Sequence, residues 1–239
     1  MESAQGFLYI GPTRMNNLIY ADIFDGAIKA FFTSKLFGAD IGKISNALLI
    51  KKENVYLPIQ KHTDKVLVLD SDLNPGEADA VITQRRDVII GVQVADCVPM
   101  LLFDRRKSVI GAVHAGWRGT VYQIIKKAIN RMIAVYGSKP EDIRIAIGPS
   151  IKGTCYEVGW EVKDAMYTVM GEGEYYTPMN GKYYIDLPLA NVLQAVSMGV
   201  PEDNIWLSDL CTHCNPSDFH SYRYHGDHSG RQGGFIGLF

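Results

Sequence analysis

The most regular pattern of apolar and polar positions lies between residues 88 and 120. Three runs rich in aliphatic and β-branched residues, at 88–95, 100–103 and 109–113, are separated by short polar breaks. Continuous apolar runs are typical of strands whose sheet is covered on both faces. The polar breaks therefore fall at strand ends, where binding and catalytic residues tend to sit in α/β folds.

Helical spacing is clearest after this stretch. Apolar residues recur with the helical period from residue 121 to 136, and Gly137, followed by Pro140, predicts where that helix ends. Asp186 is a suitable N-cap for a second helix that runs to residue 198. Two further helices are predicted over residues 41–51 and 158–170.

The remaining apolar runs predict strands. The opening segment, residues 7–35, is β-rich, and a glycine- and tyrosine-rich excursion at 175–184 predicts a hairpin or a lid. Further strands are expected at 55–60, 66–69, 144–147 and 205–207, with a last short strand at the end of the chain. No repeat, linker or low-complexity segment divides the sequence. We therefore predict one α/β (α+β) domain over residues 1–239, with mixed β-sheets flanked by helices.

Composition narrows the class of protein. The 239 residues are 47% hydrophobic and 21% charged, which suits a globular chain with a full core. A net charge of −2 argues against a nucleic-acid-binding surface, which is normally basic. No apolar stretch reaches the roughly 18–20 residues that a membrane span needs, and no signal peptide is expected. The four cysteines do not form a disulfide framework, so we expect a reduced, cytoplasmic protein.

Cys97 and His114 carry the strongest chemical signal. Each ends a predicted strand of the central stretch, so the two side chains are expected to meet. A thiol beside an imidazole forms either a metal site or a nucleophile–base pair. His62, which follows a predicted strand, is the natural third member. One sulfur and two imidazoles suit a zinc site with an open fourth position, and the same ligands suit copper.

Two other cysteine segments are less specific. The sequence from Cys211 to Cys214 has the CxxC spacing of a metal knuckle or a redox pair. Because the chain has no second CxxC, a structural turn is the favoured interpretation. Cys155 precedes a predicted helix, where a thiolate is favoured, but the role of a small buried apolar residue is equally consistent.

Aromatic and arginine side chains near these positions are candidates for substrate binding. Trp117 and Arg118 lie just before the long helix, whose N-terminal amides suit an anion such as phosphate. Their alternative roles are a core tryptophan and a surface cap. Candidates for stacking and phosphate contacts elsewhere in the chain are Tyr156, Tyr222, Arg223 and Arg231, although the last three also suit a solvated loop.

The chain resembles a known family at these residues. The family is that of the multicopper polyphenol oxidoreductases (laccase domain), also described as peptidoglycan editing factors or as purine nucleoside phosphorylase-like proteins. The similarity runs in order from about residue 55 to the C-terminus. Its blocks are QKH (60–62), ADAVIT (78–83), ADCVP (95–99), VHAGWRG (113–119), IGP (147–149), CYEVG (155–159), CT (211–212), SYR (221–223) and GR (230–231).

The resemblance implies a single α/β domain with a His–Cys–His metal site, carried here onto His62, Cys97 and His114. It implies a zinc-dependent enzyme with small-molecule substrates, which deaminates adenosine or cleaves purine nucleosides with phosphate. In deamination, water activated by the metal attacks C6 of the purine. Three alternatives stay open: a copper-dependent oxidase of phenols, a metal-free Cys97–His114 hydrolase such as an amidase acting on peptidoglycan precursors, and a non-catalytic partner-binding protein. A laccase requires several coppers and more histidine ligands than this set supplies.

The N-terminal third departs from the family pattern. Relatives usually carry a Thr-Arg-x-Gly-Gly-Val-Ser segment, whereas this chain has TSKLFG at residues 33–38. If the missing arginine binds phosphate in relatives, Lys35 is a weaker substitute, because an ammonium lacks the guanidinium fork. The sequence therefore predicts that adenosine is deaminated more readily than inosine is cleaved by phosphate.

Overall fold

A computed structural model of the chain describes residues 13–15, 17–24 and 28–239. The predicted run at residues 7–10 lies outside this part. Six α-helices are present in the described residues: α1 (Ile41–Leu48), α2 (Trp117–Val121), α3 (Ile124–Tyr136), α4 (Trp160–Met170), α5 (Leu187–Ser197) and α6 (Tyr222–His225).

The described strands are β1 (Thr13–Met15), β2 (Leu18–Tyr20), β3 (Ile28–Thr33), β4 (Val55–Tyr56), β5 (Val66–Val68), β6 (Ala80–Thr83), β7 (Ile89–Val94), β8 (Val98–Asp104), β9 (Val109–Ala115), β10 (Ile143–Ile147), β11 (Glu157–Val158), β12 (Tyr176–Met179), β13 (Lys182–Ile185), β14 (Ile205–Leu207) and β15 (Gln232–Leu238). They form a first sheet in the order β1-β2-β3-β15-β7-β4, a second sheet in the order β14-β10-β8-β9-β6-β5, and a small third sheet, β11-β13-β12. Both large sheets combine antiparallel pairs with parallel ones, such as β4 with β7 and β10 with β14. The predicted mixed α/β single domain is confirmed.

The two large sheets pack face to face. Ile90 of β7 and Ile236 of β15 share one core cluster with Leu101 of β8 and Ile110 of β9. On its other face the second sheet is covered by α3 and α5, and the first sheet is covered by α1. This layering explains why β8 and β9 are buried at every position and read as continuous apolar runs.

The chain crosses from the first sheet to the second between β7 and β8. Residues 95–97 make this crossing, and β8 then pairs with β9 so that Pro99 lies opposite His114. The polar break in the apolar pattern is therefore the point where the chain changes sheets. It places Cys97 near the end of β9.

Most predicted elements are confirmed, with shifted boundaries. Gly137 ends α3 in the left-handed conformation, and the Asp186 carboxylate accepts the amide hydrogen of Leu189 at the start of α5. The long helix begins at Ile124 rather than at residue 121, because Gln123 has a positive φ of 58° that separates it from α2. The strand predicted at 55–60 ends at Tyr56, and the predicted excursion at 175–184 is the hairpin β12–β13. In the described part of the chain, no helix is long and apolar enough to cross a membrane.

Candidate metal centre

His62, Cys97 and His114 converge at one end of the two large sheets. His62 lies in the loop after β4, Cys97 in the crossing between β7 and β8, and His114 near the end of β9. Their potential ligand atoms all lie within 4.8 Å of one another, and Cys97 Sγ is 3.9 Å from His62 Nε2. His114 is buried, whereas His62 is exposed. The cluster is therefore anchored in the core and open to solvent on one side.

Asp79 holds two of the three side chains in place. This carboxylate is fully buried immediately before β6 and accepts hydrogen bonds from the His62 amide at 3.0 Å and from His114 Nδ1 at 2.8 Å. It also accepts from the amide and the hydroxyl of Thr63, at 2.6 and 2.7 Å. With Nδ1 donating to Asp79, Nε2 is the nitrogen of His114 left to bind a metal, as in carboxylate–histidine–zinc arrangements.

The backbone conformation of His62 also indicates that Asp79 holds this residue in place. Its φ of 58° lies in the left-handed region, which is uncommon for residues other than glycine. Such conformations cost of order 1–3 kcal/mol and persist where the surroundings enforce them. Here the enforcing group is Asp79, which binds the amides of both His62 and Thr63.

The electrostatics of the cluster favour an ionised thiol. Burial raises the pKa of Cys97, but His114 and His62 outweigh burial and lower that pKa to about 6. Burial lowers the pKa of His114, while Cys97 and Asp79 raise it to about 9. For Asp79, burial acts to raise the pKa, but the hydrogen bonds from His114 and Thr63 bring it well below its usual range. Metal binding would retain the thiolate and release the extra proton of His114.

A cleft of about 390 Å³ opens beside the cluster. His62 and Cys97 line it, and so do all six residues that the sequence suggested for substrate binding: Trp117, Arg118, Tyr156, Tyr222, Arg223 and Arg231. His114 does not line this cleft. It lines a smaller cavity of about 260 Å³, together with His62, Cys97 and Arg231.

The arginines of the cleft are held against aromatic rings or backbone carbonyls. The Arg118 guanidinium lies 4.3 Å from the ring centre of Trp117, and that of Arg223 lies 5.2 Å from the ring centre of Tyr156. Arg223 also donates to the carbonyl of Glu157, at 2.9 Å. Arg231 donates to two backbone carbonyls of its own loop. Trp117 packs partly against the core as well as facing the cleft.

The structure corrects one detail of the anion-binding hypothesis. The helix that begins at Trp117 is the five-residue α2, and the long helix α3 begins seven residues later, at Ile124. Ile124 is fully buried and does not line the cleft. Positive charge in the cleft therefore comes from arginine side chains rather than from the N-terminus of the long helix.

Two aspartates were not singled out by the sequence. Asp79 lies in the ADAVIT block and binds two of the three candidate metal ligands, His62 and His114. Asp96, next to Cys97, accepts the hydroxyl hydrogen of Thr212 at 2.5 Å and the amide hydrogen of Arg223 at 2.8 Å, which ties the C-terminal tail to the cleft. Each aspartate interrupts or borders an apolar run, and that is the signal by which they could have been found.

A family model described as multi-copper polyphenol oxidoreductase laccase matches residues 39–239. The chain belongs to this laccase-domain family. A purine nucleoside phosphorylase of Aquifex aeolicus is 43% identical over 173 residues, which cover 72% of this chain and 77% of that protein. The adenosine deaminase RL5 of an unknown prokaryotic organism is 36% identical over 200 residues, covering 78% of this chain and 75% of that one.

A solved structure extends the similarity to the whole fold. The crystal structure of YlmD from Geobacillus stearothermophilus superposes with a TM-score of 0.88 at 25% identity, and the match covers 97% of this chain and 99% of that one. The family resemblance predicted from the sequence is confirmed, and with it the fold class.

The His62–Cys97–His114 set of this laccase-domain chain fits one metal ion. All six histidines and all four cysteines lie in the described residues. Within that part of the chain, the clusters of three or more potential ligands are His62–Cys97–His114 and a separate group of three cysteines. The remaining four histidines join neither cluster, so the ligands needed for several coppers are not assembled. The His₂Cys set with an open side matches a single zinc or copper ion.

Gly116 gives a test of this cluster. A Cβ atom at this position would lie 2.9 Å from Cys97 Sγ and 3.2 Å from His62 Cδ2, so Gly116→Ala is expected to displace both ligands. We expect metal affinity to fall by at least the roughly 10–100-fold seen when the surroundings of a metal site are changed. Competition with a chelator measures this loss.

Gly119→Ala is the matched control, because it lies in the same HAGWRG segment and its Cβ would meet only ordinary contacts at 3.5 Å. Equal metal affinity in the two variants would show that space beside Cys97 and His62 does not matter for binding.

Proposed function

We propose that this protein is a metal-dependent enzyme acting on purine nucleosides, with zinc as its ion. The observation that carries the proposal is the position of two candidate metal ligands, His62 and Cys97, in the wall of a cleft lined by aromatic rings and guanidinium groups. The names of the relatives, purine nucleoside phosphorylase and adenosine deaminase, support the same substrate class. We further propose a cytoplasmic location, in keeping with the four unpaired cysteines.

The cleft suits a nucleoside in size and chemistry. Its volume of about 390 Å³ lies at the lower end of the range for small-molecule sites. Trp117, Tyr156 and Tyr222 supply flat apolar surfaces for a purine ring. Burial, with the charge of Cys97, raises the pKa of Tyr156 to about 12, so this phenol stays neutral and retains its proton as a hydrogen-bond donor.

Two reactions fit this arrangement. In deamination, water adds to C6 of adenosine, the bond from C6 to the amino nitrogen breaks, and ammonia leaves. When bound, the metal would supply the Lewis acidity that makes water nucleophilic near neutral pH. In phosphorolysis, a phosphate oxygen bonds to C1′ of the ribose while the bond from C1′ to the purine breaks. Arg118, Arg223 and Arg231 would then bind the phosphate and offset its charge.

Lys35 does not line the cleft. Its ammonium donates to the carbonyl of Pro216 at 2.9 Å and lies 3.3 Å from His225 Nε2. It therefore cannot replace the arginine that relatives carry in this segment. Arg231 lines the cleft and lies next to this segment, because its carbonyl accepts the amide hydrogen of Ala39 at 3.0 Å, just after residues 33–38.

We expect zinc-loaded protein in phosphate buffer to convert adenosine to inosine faster than it converts inosine to hypoxanthine. Deamination needs the metal, water and a purine-binding surface, whereas phosphorolysis also needs a complete phosphate site. Chromatographic separation of the products from the two nucleosides, each incubated with and without phosphate, measures the two rates. Faster release of hypoxanthine would show that the three arginines already form a complete phosphate site.

Arg231→Gln separates the two reactions further. It is expected to slow phosphate-dependent cleavage by about tenfold or more, the equivalent of one lost charge-assisted contact, and to change deamination less. Arg86→Gln, which removes an exposed arginine that does not line the cleft, is the matched control. Loss of both activities to the same extent in Arg231→Gln would place Arg231 in nucleoside binding instead.

A metal-free hydrolase is the second candidate, because Asp79, His114 and Cys97 form a carboxylate–imidazole–thiolate series. The lowered pKa of Cys97 and the hydrogen bond from His114 to Asp79 favour it. Chelation decides between the two functions. Metal removal abolishes turnover by the proposed metalloenzyme, and re-addition of zinc restores it. A thiol hydrolase keeps its activity in chelator and loses it to a thiol-alkylating reagent.

A further inference from the structure

Three cysteines form a second cluster outside the cleft. The sulfurs of Cys155, Cys211 and Cys214 all lie within 4.8 Å of one another, and those of Cys155 and Cys214 are 2.9 Å apart. Cys155 comes from the loop that follows β10, whereas the other two come from the tail after β14. The sequence favoured a structural turn at Cys211–Cys214 because it showed no second CxxC. The turn is present, and folding supplies the third sulfur from a distant loop.

Backbone hydrogen bonds fix the two segments against each other. Ser150 and Cys211 form a parallel bridge, and the Thr212 amide donates to the Ser150 carbonyl at 3.1 Å. The Cys211 carbonyl accepts from the backbone amide of Asn215 at 3.2 Å and from its side chain at 2.8 Å. Cys155 is held in a turn by its own amide, which donates to the Lys152 carbonyl at 2.9 Å. The cluster is therefore built on ordered backbone.

The surroundings of Cys211 favour a negatively charged sulfur. Burial raises the pKa of this thiol, but the backbone amides of Lys152, Cys214 and His213 outweigh burial and lower it. The hydrogen bond with Cys155, together with burial, raises the pKa of Cys214 to about 12, so without an ion the negative charge is placed on Cys211. The side chain of Lys152 is also close by and donates to the Ser208 carbonyl. Amides directed at the first sulfur of a CxxC turn, with a cation nearby, offset the charge that thiolates bring to a metal ion.

We propose that Cys155, Cys211 and Cys214 bind a second metal ion, a thiophilic ion of the zinc(II) or copper(I) class. Two sulfurs on one zinc ion lie about 3.8 Å apart when each Zn–S bond is about 2.3 Å and the geometry is tetrahedral. All three sulfurs lie within 4.8 Å of one another, and those of Cys155 and Cys214, now 2.9 Å apart, would separate slightly to share an ion. A disulfide would engage only two of the three sulfurs and leave Cys211 without a role, whereas a metal uses all three. Thiolate-only ligand sets select soft ions.

We expect this ion to stabilise the cleft by linking two segments that contribute to its wall. Cys155 is followed directly by Tyr156, which lines the cleft, and Cys211 is followed by Thr212, which binds Asp96. An ion across the three sulfurs would join the loop after β10 to the tail that carries Arg223 and Arg231. Its removal is therefore expected to lower the melting temperature by roughly 5 °C or more, since metal binding at such sites contributes to folding.

The test uses the full chain with the first cluster disabled by His62→Ala and Cys97→Ser. This background and the wild type are reduced, loaded separately with zinc(II) and, without oxygen, with copper(I), and then desalted. Elemental analysis is expected to find two ions per wild-type chain and one in the background. Adding Cys211→Ser should remove the last ion, while adding Ser217→Ala, an exposed residue of the same tail, should not. The metal of this site is the one, zinc(II) or copper(I), that the protein retains against the higher chelator concentration.

Cobalt(II) gives an independent readout. The background protein loaded with cobalt is expected to show sulfur-to-cobalt charge-transfer absorption, which decreases when Cys155 or Cys214 is replaced by serine. If Cys211→Ser does not fold, Cys214→Ser at the exposed position serves in its place. It should weaken retention by more than the about 10–100-fold that changes around a site cause.

Three results would overturn the proposal. The first is a background protein that retains neither zinc nor copper. The second is an ion whose retention does not depend on Cys211 or Cys214. The third is a fully reduced preparation that reoxidises to a Cys155–Cys214 disulfide in the presence of excess zinc, seen as a loss of two hydrogens in mass. None of these results depends on turnover, so they are separate from the fate of the proposed function.

Discussion

Cys97→Ser is expected to abolish nucleoside turnover while leaving the protein folded. Its sulfur faces His62 and His114 at the crossing between the two large sheets, so the side chain carries little of the core. A catalytic metal supplies several kcal/mol of transition-state stabilisation, and its loss should lower kcat/KM by about a thousandfold or more. Turnover, metal content and melting temperature are measured on the same preparation.

His228→Ala is the control for this experiment, because it removes an exposed histidine that belongs to neither ligand cluster. It should retain wild-type turnover and metal content. If the melting temperature of Cys97→Ser fell together with its activity, the ion at this site would be structural, since its binding energy would then be folding energy.

Asp79→Asn is expected to lower the free energy of unfolding by about 3–5 kcal/mol in metal-free protein, the usual cost of breaking a buried ion pair. The Asp79 carboxylate and the His114 imidazole are both buried, and their atoms lie 2.8 Å apart. The asparagine NH₂ group would replace one carboxylate oxygen and face a backbone donor there, either the His62 amide at Oδ1 or the Thr63 amide at Oδ2. Urea unfolding in the presence of chelator measures this effect without a contribution from the metal.

Metal affinity should fall as well, because Asp79 orients one ligand directly and another through its backbone. The matched control is Glu77→Gln, two residues earlier, where an exposed carboxylate lies 3.3 Å from Lys65. Exposed ion pairs contribute about 0–1 kcal/mol, so this variant should unfold nearly like the wild type. Equal stability of the two variants would mean that Asp79 does not hold His62 and His114 in place.

The pattern of apolar and polar residues in the sequence was sufficient to locate those helices and strands in which burial follows a regular period. The continuous apolar runs of β8 and β9 predicted covered strands, and both faces of the second sheet are covered. The helical period and Gly137 located α3, although α2 could not be separated from it, because the break depends on the single backbone angle of Gln123. Cys97 and His114 could be found because polar residues that interrupt buried runs are rare.

Only the tertiary structure decided which distant segments meet. The last strand was expected to be short, but β15 has seven residues and lies between β3 and β7, which places Arg231 beside the candidate metal ligands. Asp79 accepts hydrogen bonds from residues that are 16 to 35 positions away in the sequence. Cys155 contacts Cys214, which is 59 positions away. The period of apolar residues predicts whether a side chain is buried, because burial depends on the helix or strand to which the residue belongs. It does not predict which residue that side chain contacts, because the contact is set by the pairing of strands and loops that are far apart in the chain.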